Sequence, residues 1–239
     1  MKILALDTST AVMGVALLDE KKVYAEITTN VKRNHSIRFM PAIELLFQEV
    51  NWQPEEIDLI AVAKGPGSYT GVRIGVTTAK TLAWALNKPI IGISTLEAMA
   101  YENKWFKGLI SPIIDARRDQ VYTGLYQNKQ TGWENSESDR IILLSDWLRK
   151  LREKEEQVLF VGDDVTLHQE KIIEVLGGKA VFCEPQFAIP RPSIIGYLAK
   201  KEFERGHIDN AFDFVPEYLQ LAEAEVKWLE KQQKQGISM

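Results

Sequence analysis

Two aspartates and one glycine-rich stretch are where this sequence could do chemistry. Asp7 closes the apolar run LALD, and Asp115 closes LISPIID. Nucleases with a ribonuclease-H-like sheet hold metal on aspartates at strand ends, and they need several acids converging on the ions. Asp58 and Asp119 are the further candidates, but no spacing brings them to one point. The reading preferred for each aspartate is a turn closed through its side chain. The histidines His35, His168 and His207 offer no helical metal pair: four residues on from the first two stand Phe39 and Ile172. Cys183, the one cysteine, lies in the β-like run AVFCE and reads as a small packed residue. Ser68 lies in GPGSYTG and not in G-x-S-x-G, so the nucleophile elbow is absent.

The glycine-rich stretch is KGPGSYTGVRIG, from Lys64 to Gly75. A strand, a glycine turn and a helix in that order often cradle phosphate. A Walker A loop needs Lys and then Ser or Thr straight after its last glycine. Here Gly71 precedes Val72-Arg73, and Gly75 precedes Val76-Thr77. G-x-G-x-x-G fails too, because Thr70 stands where its third glycine belongs. Packing accounts for the glycines better. Gly65 and Gly67 permit unusual backbone angles, and Pro66 stiffens the turn. Ser68 or Thr70 can cap the following helix. Gly71, Gly75, Ala79 and Ala83 then fall at four-residue steps and form a ridge that lets another backbone come close. Anion binding is the competing reading. It would use Thr8, Ser9, Gly65, Gly67 and Ser68, with Arg117 and Arg118 as a clamp.

These residues need a frame. Apolar runs predict strands over 2–7, 12–18 and 23–28, joined by tight turns as an antiparallel meander. Apolar residues at three- and four-residue steps predict a helix over 36–50, with a wide apolar stripe and Pro41 in its first turn. A strand over 58–63, a helix over 70–86 and a strand over 89–93 follow. Ser94 to Glu97 has capping-box spacing and opens another helix. From Leu109 the pattern restarts: DTSTAVMGVALLDEKK from Asp7 and DARRDQVYTGLYQNKQ from Asp115 align without a gap as hairpins. Helices near 146–154, 168–176 and 193–205, strands over 158–161 and 180–183, and a helical tail over 223–235 complete the expectation. Two α/β lobes of ribonuclease-H-like or actin-like type result, over 1–105 and 106–239.

Composition narrows the class. The 239 residues include 45% hydrophobic ones, enough for a real core. The net charge is −4, with an isoelectric point near 5.6, so no global basic surface holds nucleic acid. A single cysteine fits a reducing compartment. No uncharged apolar run reaches membrane-span length. The expectation is a soluble cytoplasmic protein that meets tRNA, if at all, only within a complex.

LALDTST, NHSIRFMP, KGPGSYTGVRIG, IDARRDQVYTGLY and PEYLQLAEAEVKWLE together resemble the TsaB (YeaZ) family of bacterial tRNA-modification proteins, from the first strand to the tail. Tyr69 and Val72 stand where family members usually carry Phe and Leu. The resemblance implies an α/β, two-lobed actin-like (ASKHA) fold. It implies work with a paralogous catalytic subunit, TsaD, and an ATPase, TsaE, in placing threonylcarbamoyl on tRNA adenosine. It also implies that this chain is no enzyme and holds no cofactor of its own, ATP and metal belonging to the partner subunits. TsaD carries His-x-x-x-His, whereas Phe39 follows His35 here. The family pairs through its first two helices, with TsaD or as a homodimer. That implication places Met40, Ile43, Phe47, Gly75, Ala79 and Ala83 at the contact. The alternative class is an ATP-using actin-like kinase or ATPase, with Thr8 to Thr10 and Gly65 to Ser68 around the phosphates.

Overall fold

The computed structural model describes residues 1–31 and 34–220, so the helix expected over 223–235 lies outside the described residues. Strands β1 (Ile3–Asp7), β2 (Val12–Leu18) and β3 (Val23–Asn30) form the expected meander. Helix α1 (His35–Val50), β4 (Leu59–Gly65), α2 (Tyr69–Leu86) and β5 (Ile90–Ser94) complete a five-stranded sheet in the order β3-β2-β1-β4-β5. Helix α3 (Thr95–Glu102) links this to β6 (Leu109–Asp115), β7 (Gln120–Lys129) and β8 (Gly132–Leu143). Then come α4 (Leu144–Arg152), β9 (Val158–Val161), α5 (Val165–Leu176), β10 (Ala180–Phe182) and α6 (Pro192–Glu204). The second sheet runs β10-β9-β6-β7-β8. Numbered within each half, both sheets have one topology: an antiparallel hairpin pair, then parallel strands added beside the first.

The sequence sets these elements by local means. The Asn34, Ser68 and Ser94 side chains accept hydrogen bonds from the amides of Ser36, Gly71 and Glu97, capping α1, α2 and α3. Asn51 and Asn87 end α1 and α2 in the left-handed conformation that asparagine tolerates. Pro41 sits in the second turn of α1 and not in its first, where the sequence reading put it. Its missing N–H leaves the carbonyl of Ile37, a residue 71% exposed, on the solvent side.

The two halves are tied by an exchange. Helix α6 packs on β1, β2, β4 and β5 of the first sheet, and α3 packs on β6 and β7 of the second. The division at residue 105 follows chain order, but each half lends its last helix to the other's sheet. Four apolar cores result. One lies under α1 and α2, one under α6, one under α4 and α5, and one under α3. Strands β1, β4 and β9 are covered on both faces, which explains their near-continuous apolar sequences. One register detail departs from the gapless alignment of the hairpins. Asp7 pairs with Gly14, but Asp115 pairs with Val121, so the second loop is one residue shorter.

Candidate functional site

The glycine stretch packs against the turn after β1. The Ser68 amide donates to the Ser9 carbonyl at 2.7 Å, and the Thr8 hydroxyl donates to the Gly71 carbonyl at 2.7 Å. A Cβ on Gly67 would lie 2.1 Å from the Ser9 carbonyl oxygen, and one on Gly71 equally close to that of Thr8. Only glycine permits this approach of two backbones. Gly65, with φ of 105°, faces the backbone of Glu217 in the same way. Amides that a phosphate cradle would aim outward are therefore partnered within the chain: Ser68 by Ser9, and Gly71 by its cap. Thr8 and Ser9 are buried, and neither offers its side chain to a ligand.

Asp7 closes its turn as expected. One carboxylate oxygen accepts from both the Ser9 amide (2.8 Å) and the Ser9 hydroxyl (2.7 Å); the other is buried with no partner. Burial pushes its pKa up to about 6, against the lowering effect of the Ser9 hydrogen bonds. Asp115 stands at the matching place in the second lobe, 3.3 Å from the His168 ring, and its amide donates to Asp164. Asp58 lies at the far end of β1, accepting from the Lys2 amide, and so does not converge with Asp7. Among the described residues no three His, Cys, Asp or Glu side chains converge as metal ligands. His35 approaches the Thr10 carbonyl at 3.0 Å through its Nε2. Burial, then the charges of Glu102 and Glu184, push the Cys183 thiol up to about 11, a poor nucleophile.

Between the lobes lies a cleft of about 930 Å³, bordered by Thr10, Ser68, Asp115, Arg117, Arg118 and Tyr218. Arg117 and Arg118 do reach this cleft, opposite the glycine turn, while Thr8 and Ser9 lie beneath it. Sequence reasoning left 206–220 unassigned, yet this segment borders the cleft. Asp209 bridges to Ile90, Phe214 is buried against Gly92, and the Glu217 amide donates to the Lys64 carbonyl. Tyr218 stacks on Tyr69 at 4.9 Å, and the Tyr122 hydroxyl donates to Gln220. The apolar Phe214 in a polar stretch was the available signal.

The outer face of the first lobe is the second notable region. Helices α1 and α2 cover one core, but their backbones come close at few points. A groove of about 600 Å³ opens between them, lined by Met40, Ile43, Phe47, Leu82 and Leu86. Met40 also borders a second hollow with Tyr69, Arg73 and Ile74. Ile37, Met40, Tyr69 and Trp84 present large apolar surface to solvent, Trp84 being 68% exposed. The expected contact set splits here. Met40 is exposed, and Ile43 and Phe47 are mostly buried but form the groove floor. Gly75, Ala79 and Ala83 instead face their own sheet, and that placement is corrected. Ala79 and Ala83 lie in the core with Val62, and a Cβ on Gly75 would meet the Thr8 hydroxyl at 2.7 Å. The small ridge serves the close approach of α2 to β1 and β4 within this chain.

Two lobes of repeated topology with exchanged helices around a cleft define a two-lobed ASKHA-type α/β protein. A family model described as TsaD, tRNA N6-adenosine threonylcarbamoyltransferase, matches residues 22–228. The protein from Bacillus subtilis named tRNA threonylcarbamoyladenosine biosynthesis protein TsaB is 50% identical over 97% of this chain and all of its own length. Its Escherichia coli namesake is 36% identical over 59% of this chain and 62% of its own. The crystal structure of YeaZ from Pseudomonas aeruginosa superposes with a TM-score of 0.75 at 27% identity, covering 91% of this chain and 99% of that one. The chain belongs to the TsaB (YeaZ) family. Among the described residues no helix is long and apolar enough to cross a membrane.

Proposed function

We propose that this chain is a non-catalytic scaffold and activator subunit in the synthesis of tRNA N6-threonylcarbamoyladenosine. It pairs with a TsaD-type catalytic subunit and supports binding of the ATPase TsaE, in the cytoplasm. The names carried by its relatives supply the pathway. The open apolar face of α1 and α2 supplies the physical argument. Monomeric proteins rarely leave a two-helix layer ungrooved by a neighbour with Ile37, Met40, Tyr69 and Trp84 in water. Buried apolar and aromatic anchors of this kind dominate association energy. Docking there favours the competent conformation of the catalytic subunit, a shift of population that needs no reacting group on this chain. ATP and metal are then held by the partners. Alone, the same face pairs with a second copy.

The test is co-purification of this chain with the catalytic subunit, followed by reconstituted tRNA modification with this chain omitted. Met40→Asp and Trp84→Asp place charge on exposed positions, so the fold should survive. Each variant should lose the complex and the modification together. Full-speed modification without this chain would overturn the proposal. The kinase or ATPase alternative predicts tight magnesium-dependent ATP turnover by the isolated protein. The internal partnering of the Ser68 and Gly71 amides favours the scaffold.

A further inference from the structure

The net charge of −4 hides a local exception. Tyr101 on α3 and Tyr197 on α6 lie ring to ring at 5.5 Å, where the two exchanged helices meet. Two ammonium groups stand over this pair. Lys104 Nζ is 4.5 Å from the Tyr101 ring and donates to its hydroxyl at 3.1 Å. Lys201 Nζ is 5.2 Å from the Tyr197 ring and 5.5 Å from that of Tyr101. Neither lysine has a carboxylate within ion-pair distance among the described residues, and Lys107 makes no ion pair there either. Of the nearby carboxylates, Glu97 accepts from the Trp133 indole and Glu184 from the Gln186 amide, and three others are held by other cations. Glu202 bonds Arg205 and His207, Glu204 bonds Lys200, and Glu102 faces Arg191. Burial raises the Tyr101 phenol, yet its bonds to Lys104 and Tyr197 and the charges of both lysines bring its pKa below the ordinary value.

One of these lysines is followed directly in the chain by an exposed indole. Trp105 follows Lys104 and is 62% exposed, with its ring near Phe106 and Phe187 at 6.4 and 6.5 Å. The Asn128 side chain donates to the Lys104 carbonyl, which fixes this loop to β7. Lysines without carboxylate partners beside an exposed indole are the components of single-strand recognition: ammonium groups for phosphates and a ring for a base.

We infer that Lys104, Trp105, Lys107, Tyr197 and Lys201 form a contact surface for RNA, engaging the phosphate backbone and one unpaired base of tRNA. The proposed function is needed only to name the RNA as tRNA. In the assembled complex this chain then carries part of the substrate grip itself. The charge of the whole chain does not oppose this, because screening confines the relevant field to about 10 Å at ordinary salt.

The experiment measures binding of an unmodified tRNA transcript to the full chain, alone at low salt and in complex with the catalytic subunit at about 0.1 M salt. The triple charge reversal K104E/K107E/K201E should weaken binding at least tenfold. It should also flatten the slope of log affinity against log salt by about 2. Trp105→Ala should weaken binding about tenfold with the slope unchanged. Lys171→Glu, on α5, should change neither quantity. Thermal melting checks the fold, and the neutral triple Lys→Gln replaces the reversal if that variant fails to fold. Unchanged affinity and slope in an assembled, active complex would overturn the inference and leave the scaffold role standing. Loss of subunit co-purification with tRNA affinity intact would also overturn it, marking a protein contact instead. Failure of any complex to form would count against the scaffold role, and the isolated-chain measurement would then decide the RNA surface by the same criteria.

Discussion

The two lobes share one topology and use it differently. In the second lobe α4 and α5 pack against each other, whereas in the first α1 and α2 cover one core with fewer close approaches between their backbones and an apolar groove between them. The turns after the first strand differ as well. Asp7-Thr8-Ser9 is buried beneath α2, held by glycines that bring two backbones into contact. Its counterpart after Asp115 is open, and Arg117, Arg118 and Asp119 all take the left-handed conformation, with φ of 65°, 53° and 59°. Topology therefore fixes where a turn and a helix layer lie, and side-chain volume decides whether they are sealed or offered. The first lobe has a rigid inner turn and an open outer face. The second has a closed outer face and an open turn on the cleft.

Substituting the glycines tests that asymmetry most severely. Gly71→Ala should lower unfolding free energy by about 4 kcal/mol, because its Cβ would meet a backbone oxygen that cannot swing aside. Gly178→Ala in the second lobe meets nothing within 4 Å and should change stability by less than about 0.5 kcal/mol. Urea unfolding of both variants reads the difference. Equal costs would mean that the close approach of α2 to the Thr8 turn is not what makes glycine necessary there.

The next effect is pH dependence. Asp7 holds its proton up to about pH 6 in the folded chain, against an ordinary value of 3.8. Folding then binds protons more tightly than the unfolded chain does, so stability is fully present below pH 4 and declines as pH rises to 6. At 1.36 kcal/mol per tenfold, that decline amounts to about 3 kcal/mol, flat above pH 7. Unfolding curves of Asp7→Asn between pH 4 and 8 should lack this slope. A constant offset from the amide leaves the comparison intact, since only the pH-dependent difference is read. Parallel curves for the two proteins would show that Asp7 is not the group responsible.

The outer faces give the third contrast. Leu167 on α5 is as exposed as Trp84 on α2, at 68% each, and Ile173 is the other large apolar side chain exposed on that helix. Leu167→Asp should leave affinity for the catalytic subunit within about twofold. Trp84→Asp should reduce it about a hundredfold, as expected for an aromatic anchor. Calorimetric titration of the two variants measures both. Equal losses would remove the special status of the exposed α2 face.

Much of this design was legible, and the failures share a cause. Caps at Ser68 and Ser94 and both hairpins follow from short-range chemistry, so the sequence shows them. A four-residue period at Gly71, Gly75, Ala79 and Ala83 shows that a helix has a small face, but not whether a partner or the chain's own sheet covers it. The sheet does. The packing of α6 on the first sheet depends on contacts about a hundred residues or more apart and leaves no local mark. The shorter second loop was hidden because Asp7 and Asp115 align well by pattern while their pairing partners differ by one place. Segment 206–220 was missed because it has no period, its hold coming from isolated points such as Phe214 and Glu217.

That segment supplies the mildest test, because it crosses from one lobe to the other. Tyr218 stacks on Tyr69 of the first lobe, and two residues later Gln220 accepts from Tyr122 of the second. Both tyrosines of the stack are partly in water, which puts their pairing near the low end of aromatic energies, about 0.5 kcal/mol beyond area. Tyr218→Ala should therefore lower the melting temperature by about 1–2 °C for the lost stacking, with the lost buried area adding to it. Tyr122→Phe removes one part-buried hydrogen bond and keeps the ring, so its effect should be about 2 °C. If Tyr122→Phe proves the costlier change, the segment is anchored chiefly on the second lobe, and the cleft border moves with that lobe instead of with the glycine turn.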